Sequence, residues 1–150
     1  MIRGLKSLNQ VGSNIMPNSS SSNNVVIAVP VVKVGSEYYL SPHFGRAPLF
    51  ALVEVSSNSY KIRDVVENPY AVHERGKGRG IVEFLVSQGV NAIIVLGIGY
   101  GAFYRLKERG IKVCYVPVQE QSKGVVSLSK AIEMYVNKQL EEAVEPREYE

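Results

Sequence analysis

An uninterrupted apolar run from Val25 to Val29, closed by Pro30, constrains the fold of this chain more than any other feature. A strand with apolar side chains on both faces is typical of the middle of a sheet that helices cover. The run therefore predicts an α/β domain that begins at residue 25. Before it, Ser or Asn occupies eleven of the eighteen residues 7–24, which leaves too little apolar surface to offset the entropy of ordering. We expect residues 1–24 to form a disordered extension.

The rest of the chain shows two patterns. Residues 50–55 and 60–66 are rich in aromatic and β-branched residues and flank a Ser-Ser-Asn-Ser turn, which predicts an antiparallel hairpin. Beyond residue 80, helical patterns alternate with buried strands at 92–96 and 111–116, as in parallel β/α structure. The sequence thus predicts a mixed five-stranded sheet with helices on both faces, in one domain from 25 to 140, followed by a charged tail from 141 to 150.

Size and composition narrow the classes of function. A chain of 150 residues holds one domain, and its net charge of +3 suits a small anionic ligand without demanding nucleic acid. The single cysteine, Cys114, excludes an internal disulfide and a cysteine-rich iron–sulfur site, so we expect a reducing, cytoplasmic location. No stretch reaches the roughly 18 consecutive apolar residues of a membrane span, and we expect no membrane partner.

The first candidate site is the loop His43-Phe44-Gly45-Arg46, which lies between Pro42 and Pro48 where irregular backbone is expected. His43 offers an imidazole nitrogen to a metal, and Arg46 offers a fixed cation to an oxyanion or a negatively charged cluster. A histidine in a loop is also commonly an ordinary hydrogen-bonding residue. The residue types alone therefore leave both readings open.

A second candidate is the glycine-rich segment from Asn68 to Gly80, which opens onto a predicted helix. Lys77 and Arg79 alternate with its glycines, and they favour negative charge together with the free amides of a helix N-terminus. His73 is a possible second imidazole donor. The alternative is a solvated basic loop, because such loops are common on protein surfaces.

A third segment, Gly97 to Ala102, follows a predicted strand and precedes a predicted helix. It satisfies the dinucleotide pattern G-x-G-x-x-A, although the strand before it is not the first of a βαβαβ unit. Gly97, Gly99 and Gly101 equally fit a third wall of an anion site, built from the amides at the helix start. A plain tight turn is the remaining alternative.

No catalytic constellation is visible in the sequence. Asp64 is the one aspartate and lies on a predicted hairpin strand, so the clustered carboxylates of a two-metal nuclease are missing. The serines lack a nucleophile elbow. Cys114 lies among apolar strand residues, which is typical of an inert buried thiol. We therefore predict that the protein is not an enzyme.

Several of these motifs, taken together, resemble the dinitrogenase iron-molybdenum cofactor biosynthesis family. The matching segments, in order and spacing, are Ser41 to Ala47, Glu67-Asn68-Pro69, the glycine-rich loop, residues 89–95 and Gly97 to Phe103, within about 25 to 140. That family includes the carriers NifX and NafY, the C-terminal domain of NifB and small stand-alone proteins. This chain resembles the stand-alone type, because it carries no radical-SAM domain, cysteine-rich cluster site or partner-docking domain.

The resemblance implies a three-layer, ribonuclease H-like fold without nuclease activity. It also implies binding of an anionic metal–sulfur cluster or its precursor. In carrier members the histidine of the HFG-type loop is thought to contact the cofactor, and this position maps onto His43, which would then be both a cofactor-binding residue and a metal ligand. For Arg46, His73, Lys77 and Arg79 the assignment to the site is an inference from charge and position.

The leading hypothesis is a noncatalytic carrier or sensor of a metal–sulfur cluster, similar to the iron-molybdenum cofactor, or of a related oxyanion such as molybdate. Cluster-assembly or acceptor proteins would be its further partners. One alternative is a nucleotide-binding domain that uses Gly97 to Ala102. Another is an interaction module whose basic loop binds protein or nucleic acid, which the absence of interleaved aromatic and basic residues disfavours.

Overall fold

A computed structural model describes residues 24–71 and 77–147 of the chain. The proposed extension before residue 24 lies outside the described residues, as do His73, the side chains of Lys77 and Arg79, and residues 148–150. Within the described ranges the elements are β1 (Val25–Val34), β2 (Glu37–Leu40), β3 (Leu49–Ser56), β4 (Ser59–Glu67), α1 (Lys77–Ser87), β5 (Ala92–Val95), α2 (Tyr100–Glu108), β6 (Lys112–Tyr115), α3 (Val118–Gln121), α4 (Leu128–Val136) and β7 (Glu141–Glu142). No helix among these is long and apolar enough to cross a bilayer.

The described strands form one mixed sheet in the order β4-β3-β1-β5-β6-β7, with β2 also paired to β1. β3 and β4 form the expected antiparallel hairpin, and β1, β5 and β6 run parallel to one another. The α/β class is confirmed, but the sheet has seven strands rather than the predicted five. The two additional strands, β2 and β7, have only four and two residues, too few to show a strand period in the sequence.

The sequence indicated that the first strand ends at Pro30, but it does not. β1 continues to Val34, and Pro30 lies opposite Phe50 of β3. On the other edge of β1 the Pro30 carbonyl accepts a hydrogen bond of 2.8 Å from the Ser41 amide, at the place where β5 gives way to β2. The N–H and carbonyl groups of one strand residue point to the same side. The missing proline N–H therefore faces this junction, and no ladder hydrogen bond is lost.

Helices pack on both faces of the sheet, because alternate residues of each strand point to opposite sides. On one face, α1 and α2 contribute Ile81, Leu85 and Phe103 to a buried cluster that includes Ala28 of β1. On the other face, α4 contributes Leu128 and Ile132 to a second cluster, together with Ile27 and Val29 of β1. The central strand β1 thus supplies both clusters, which explains why its sequence is apolar at every position from Val25 to Val32.

One edge of the sheet receives the candidate loops. β1, β5 and β6 are parallel, so their carboxyl ends lie at the same edge, which we call the carboxyl edge. Because β1 extends beyond the end of β5, β2 can pair with it there, with Leu40 opposite Val31. The chain leaves β2 beside the end of β5, and Phe44 and Ala47 of the loop that follows lie in the same buried cluster as Ile98, which follows β5.

Candidate functional site at the carboxyl edge

The HFG loop, residues 41–48, is anchored by a buried aromatic ring. Phe44 is only 5% exposed, and its ring meets that of Phe50 edge-on, with the centroids 5.6 Å apart. His43 and Arg46, on either side of it, are exposed, and the His43 amide donates to Ser41 Oγ at 3.1 Å. Phe44 therefore holds the loop on the core, and the imidazole and the guanidinium face solvent, where a ligand can reach them.

A buried asparagine fixes the same loop from below. Asn68 is 7% exposed, and its Nδ2 donates to the carbonyls of Gly45 at 3.0 Å and Ala47 at 2.8 Å. Its Oδ1 accepts from the Tyr70 amide at 2.8 Å. The sequence pattern had singled out Asn68 only as part of a motif. Asparagine before proline at a strand end is a recognised turn signal, but its partner loop lies 21 to 23 residues away and could not be read from the sequence.

The turn after β4 also links the HFG loop to the start of α1. A Cβ atom built on Gly80, in the first turn of α1, would lie closer than 3.0 Å to three ring carbons of Tyr70. A side chain at this position would force the Tyr70 ring to move, so glycine permits this approach of helix and ring. Through Asn68 and Tyr70, the structure brings the start of the second candidate segment next to the first.

The glycine turn, residues 97–101, connects β5 to α2. Gly97 and Ile98 are buried, whereas Tyr100 and Gly101 are exposed. Gly99 is the N-cap of α2 and offers no side-chain cap, so the amides of the first helical turn depend on other acceptors. A Cβ at Gly101 would meet no atom within 4 Å, which leaves open space beside this turn. A helix N-terminus with free amides favours an anion.

A cavity lies beside Pro42 of the HFG loop and the end of β5. Its volume is about 370 Å³, and Pro42 of the HFG loop and Leu96, just before the glycine turn, both line it. Gln121 also lines the cavity, and its Nε2 donates to the carbonyls of Leu96 at 3.2 Å and Val116 at 2.9 Å. Sequence reasoning did not identify Gln121, since α3 is too short to show a helical period.

The segment 141–147, hereafter the C-terminal segment, is a feature that the sequence presented only as part of a charged tail. β7 pairs with β6, and Arg147 forms an isolated antiparallel bridge with Ile98 of the glycine turn. The Tyr115 hydroxyl donates to the Glu145 carbonyl at 2.8 Å, and burial raises the pKa of this phenol, so it keeps its proton. The Arg147 guanidinium lies 4.2 Å from the Tyr115 ring centroid.

Cys114, the single cysteine, is not suited to bind a metal. It is 5% exposed, and burial raises its pKa to about 11, so the thiol stays protonated near neutral pH. Metal ligation requires the thiolate. Across residues 24–71 and 77–147, no three His, Cys, Asp or Glu side chains come together to hold a metal ion.

The fold and this edge define a class of protein: an α/β binding domain that gathers exposed polar loops at the carboxyl ends of its parallel strands. The family model described as dinitrogenase iron-molybdenum cofactor matches residues 24–143. The chain therefore belongs to that family, and the resemblance seen in the sequence is confirmed. It is also similar to the uncharacterized protein MJ0580 of Methanocaldococcus jannaschii, with 32% identity over 102 residues that cover 68% of this chain and 80% of that protein.

Solved structures show the same architecture. The apo form of the orange protein from Desulfovibrio gigas superposes with a TM-score of 0.67 at 23% identity, covering 81% of this chain and 95% of that one. At this identity the likeness establishes the fold alone. TM1290 from Thermotoga, a protein of the DUF35 family that has been linked to NifB, superposes with a TM-score of 0.60 at 30% identity, covering 79% of this chain and 92% of that one.

Proposed function

We propose that this chain is a noncatalytic carrier or sensor of an anionic metal–sulfur cluster, similar to the iron-molybdenum cofactor or a precursor, or of a related oxyanion such as molybdate. The observation that carries the proposal is the arrangement at the carboxyl edge. The exposed side chains of His43 and Arg46 lie on one loop, and the amides at the start of α2 lie on the neighbouring one. Membership of the family supports this class of cargo.

The available donors suit a cluster or an oxyanion better than a bare metal ion. A bare ion requires several protein ligands, and the described residues bring no three such side chains together. A cluster or an oxyanion presents its own sulfide or oxygen atoms, which accept hydrogen bonds from amides and from a guanidinium. In this arrangement His43 supplies one bond to a metal of the cargo, and Arg46 supplies a fixed positive charge.

We assign the other site residues by their place around this edge. Gly97, Gly99 and Gly101 form the wall at the start of α2, and Gly45 lets the HFG loop turn between its two exposed side chains. Phe44 does not contact the ligand, because its ring is buried. It serves the site by holding the HFG loop in place. We also assign His73, Lys77 and Arg79 to the site, on their charge and their place in the sequence alone. We further propose that the three-layer fold is ribonuclease H-like.

Family membership and the likeness to the Thermotoga protein, which is described as a NifB protein, support a binding role. A carrier passes its cargo on, so we propose cluster-assembly or acceptor proteins as partners. No catalytic step is required of the residues at the carboxyl edge.

The test is retention of tetrathiomolybdate, or of isolated iron-molybdenum cofactor, on anaerobic gel filtration, followed by absorbance and metal analysis. We expect His43→Ala and Arg46→Ala each to weaken retention at least about tenfold, the loss of one charge-assisted hydrogen bond or metal bond. The matched control is Arg109→Ala, because Arg109 pairs with Glu83 at the far end of α2. Equal retention by His43→Ala removes His43 from the site.

Absence of retention by the wild-type protein would overturn the proposed function. The nucleotide-binding alternative makes a separate prediction in the same samples. It requires that NAD or ATP raise the melting temperature, and that Gly99→Val abolish the shift. A flat response to both nucleotides removes it.

A further inference from the structure

The C-terminal segment occupies part of the glycine turn. The Ile98 amide donates to the Arg147 carbonyl at 2.5 Å, and the Arg147 amide donates to the Ile98 carbonyl at 3.0 Å. Ile98 lies between Gly97 and Gly99, which the proposed function places in the anion site. One of the amides at this wall is therefore already bonded within the protein.

The segment is held mostly by polar contacts. β7 comprises two residues, and beyond it the Ala143 amide donates to Val113 and the Glu145 carbonyl accepts from Tyr115. Its one fully buried apolar side chain among the described residues is Ala143, whereas Val144 is 86% exposed. Segments that bury little apolar surface open at a lower cost than the whole domain. We therefore expect the segment to detach without unfolding of the sheet.

The charges of the segment are mostly paired. The segment carries three carboxylates, Glu141, Glu142 and Glu145, and one guanidinium, Arg147. Glu141 pairs with Arg147 Nη2 at 3.0 Å and Glu142 with Lys112 Nζ at 3.8 Å, and Arg147 Nη1 is buried without an acceptor among the described residues. Bound in this position, the segment leaves one guanidinium donor unsatisfied, a cost that its detachment removes.

We propose that the C-terminal segment is a displaceable cover of the glycine turn, and that an anion entering the site competes with the Arg147 carbonyl for the Ile98 amide. This inference rests on the proposed function and adds its regulation: the covered form binds cargo more weakly than the open form. Most of the cover lies at or beyond the limit of the family match, which ends at residue 143.

The test uses a variant that loosens the cover without altering charge. Tyr115→Phe removes the bond to the Glu145 carbonyl and keeps the ring beside Arg147. We expect tetrathiomolybdate to bind this variant about three- to tenfold more tightly, because apparent affinity rises with the population of the open form. The control is Tyr60→Phe, because Tyr60 lies on β4, the outermost strand on the side of the sheet opposite β7. The affinity of this variant for tetrathiomolybdate should equal that of the wild type.

A second variant tests the same idea through chain entropy. Val144→Gly removes an exposed side chain and favours the detached segment, and we expect about twofold tighter binding. Tetrathiomolybdate should also accelerate hydrogen exchange of the Arg147 amide, while that of the Val113 amide in β6 stays unchanged. Equal or weaker binding by both variants, or unchanged exchange at Arg147, overturns the cover. Failure of the wild type to bind overturns the proposed function itself.

Discussion

The HFG loop and the glycine turn are neighbours at the carboxyl edge, yet they are held in opposite ways. The HFG loop is fixed from inside, by the buried ring of Phe44 and the buried amide of Asn68. The glycine turn is covered from outside, by the C-terminal segment, through main-chain bonds between Ile98 and Arg147. The two loops therefore differ in the cost of movement, because buried contacts break only with the core and peripheral ones break locally.

Removal of the Phe44 ring should have the largest effect on stability. Phe44→Ala is expected to lower the free energy of unfolding by about 3 to 5 kcal/mol, the usual cost of a buried Phe→Ala cavity. Urea denaturation measures it, and Phe44→Leu is the control that keeps most of the volume and should cost much less. A loss below about 1 kcal/mol would mean that the core does not hold the HFG loop. The proposed difference between the HFG loop and the glycine turn would then be wrong.

Loss of the Asn68 side chain comes next. Asn68→Ala deprives the carbonyls of Gly45 and Ala47, and the amide of Tyr70, of their partners. We expect a loss of about 3 kcal/mol in urea denaturation, because buried polar groups without partners are costly. Asn91 is the matched control: it is exposed and accepts one bond, from Val26 at 2.8 Å, so Asn91→Ala should cost about 1 kcal/mol or less. Equal losses of unfolding free energy in the two variants would contradict the role of Asn68 as a buried clamp, the name we give to its bonds with Gly45, Ala47 and Tyr70.

Burial of the Cys114 thiol should make the stability of the protein depend on pH. Its folded pKa is raised from 9.0 to about 11 by burial, so its stabilising effect is full below pH 9 and is lost as pH rises toward 11. The expected loss is about 2 kcal/mol of unfolding free energy, as the unfolded thiol ionises and the folded one does not. Cys114→Ala corrects for other groups, and the difference between the two pH curves should be constant below pH 9 and should change only as pH rises above it.

The same thiol gives a kinetic readout. Cys114 lies opposite Glu142 of β7 but belongs to β6, so local detachment of the cover should leave it buried. We expect iodoacetamide to label Cys114 at pH 8 no faster in Tyr115→Phe than in the wild type. Faster labelling would show that β6 opens together with the C-terminal segment, and the distinction between the two loops would be lost.

Loosening of the cover should have the smallest effect on global stability. Tyr115→Phe removes one hydrogen bond from a segment that opens locally, so we expect urea denaturation to show a loss below about 1 kcal/mol. A loss comparable with that of Asn68→Ala would place the C-terminal segment within the cooperative core. Measured together, the losses of unfolding free energy in the two variants show how firmly the HFG loop and the C-terminal segment are each held.

Much of this fold could be predicted because the relevant patterns are local. The run at Val25 to Val29 identified a central strand, and the Ser-Ser-Asn-Ser turn at residues 56–59 identified the β3–β4 hairpin. The extension of β1 past Pro30 could not be predicted, since it depends on which neighbour each edge of the strand meets. β7 is two glutamates, which only pairing with β6 makes a strand.

The sequence by itself determined the family, the α/β class and the loops that carry His43, Arg46 and the three glycines, because motif order, side-chain period and residue chemistry are properties of the chain alone. Only the tertiary structure decided how those loops are held. The clamp joins Asn68 to a loop 21 to 23 residues away, and the cover joins Arg147 to a turn 49 residues earlier. Such contacts form between groups whose separation along the chain carries no pattern, so they follow from the way the sheet brings its carboxyl ends together.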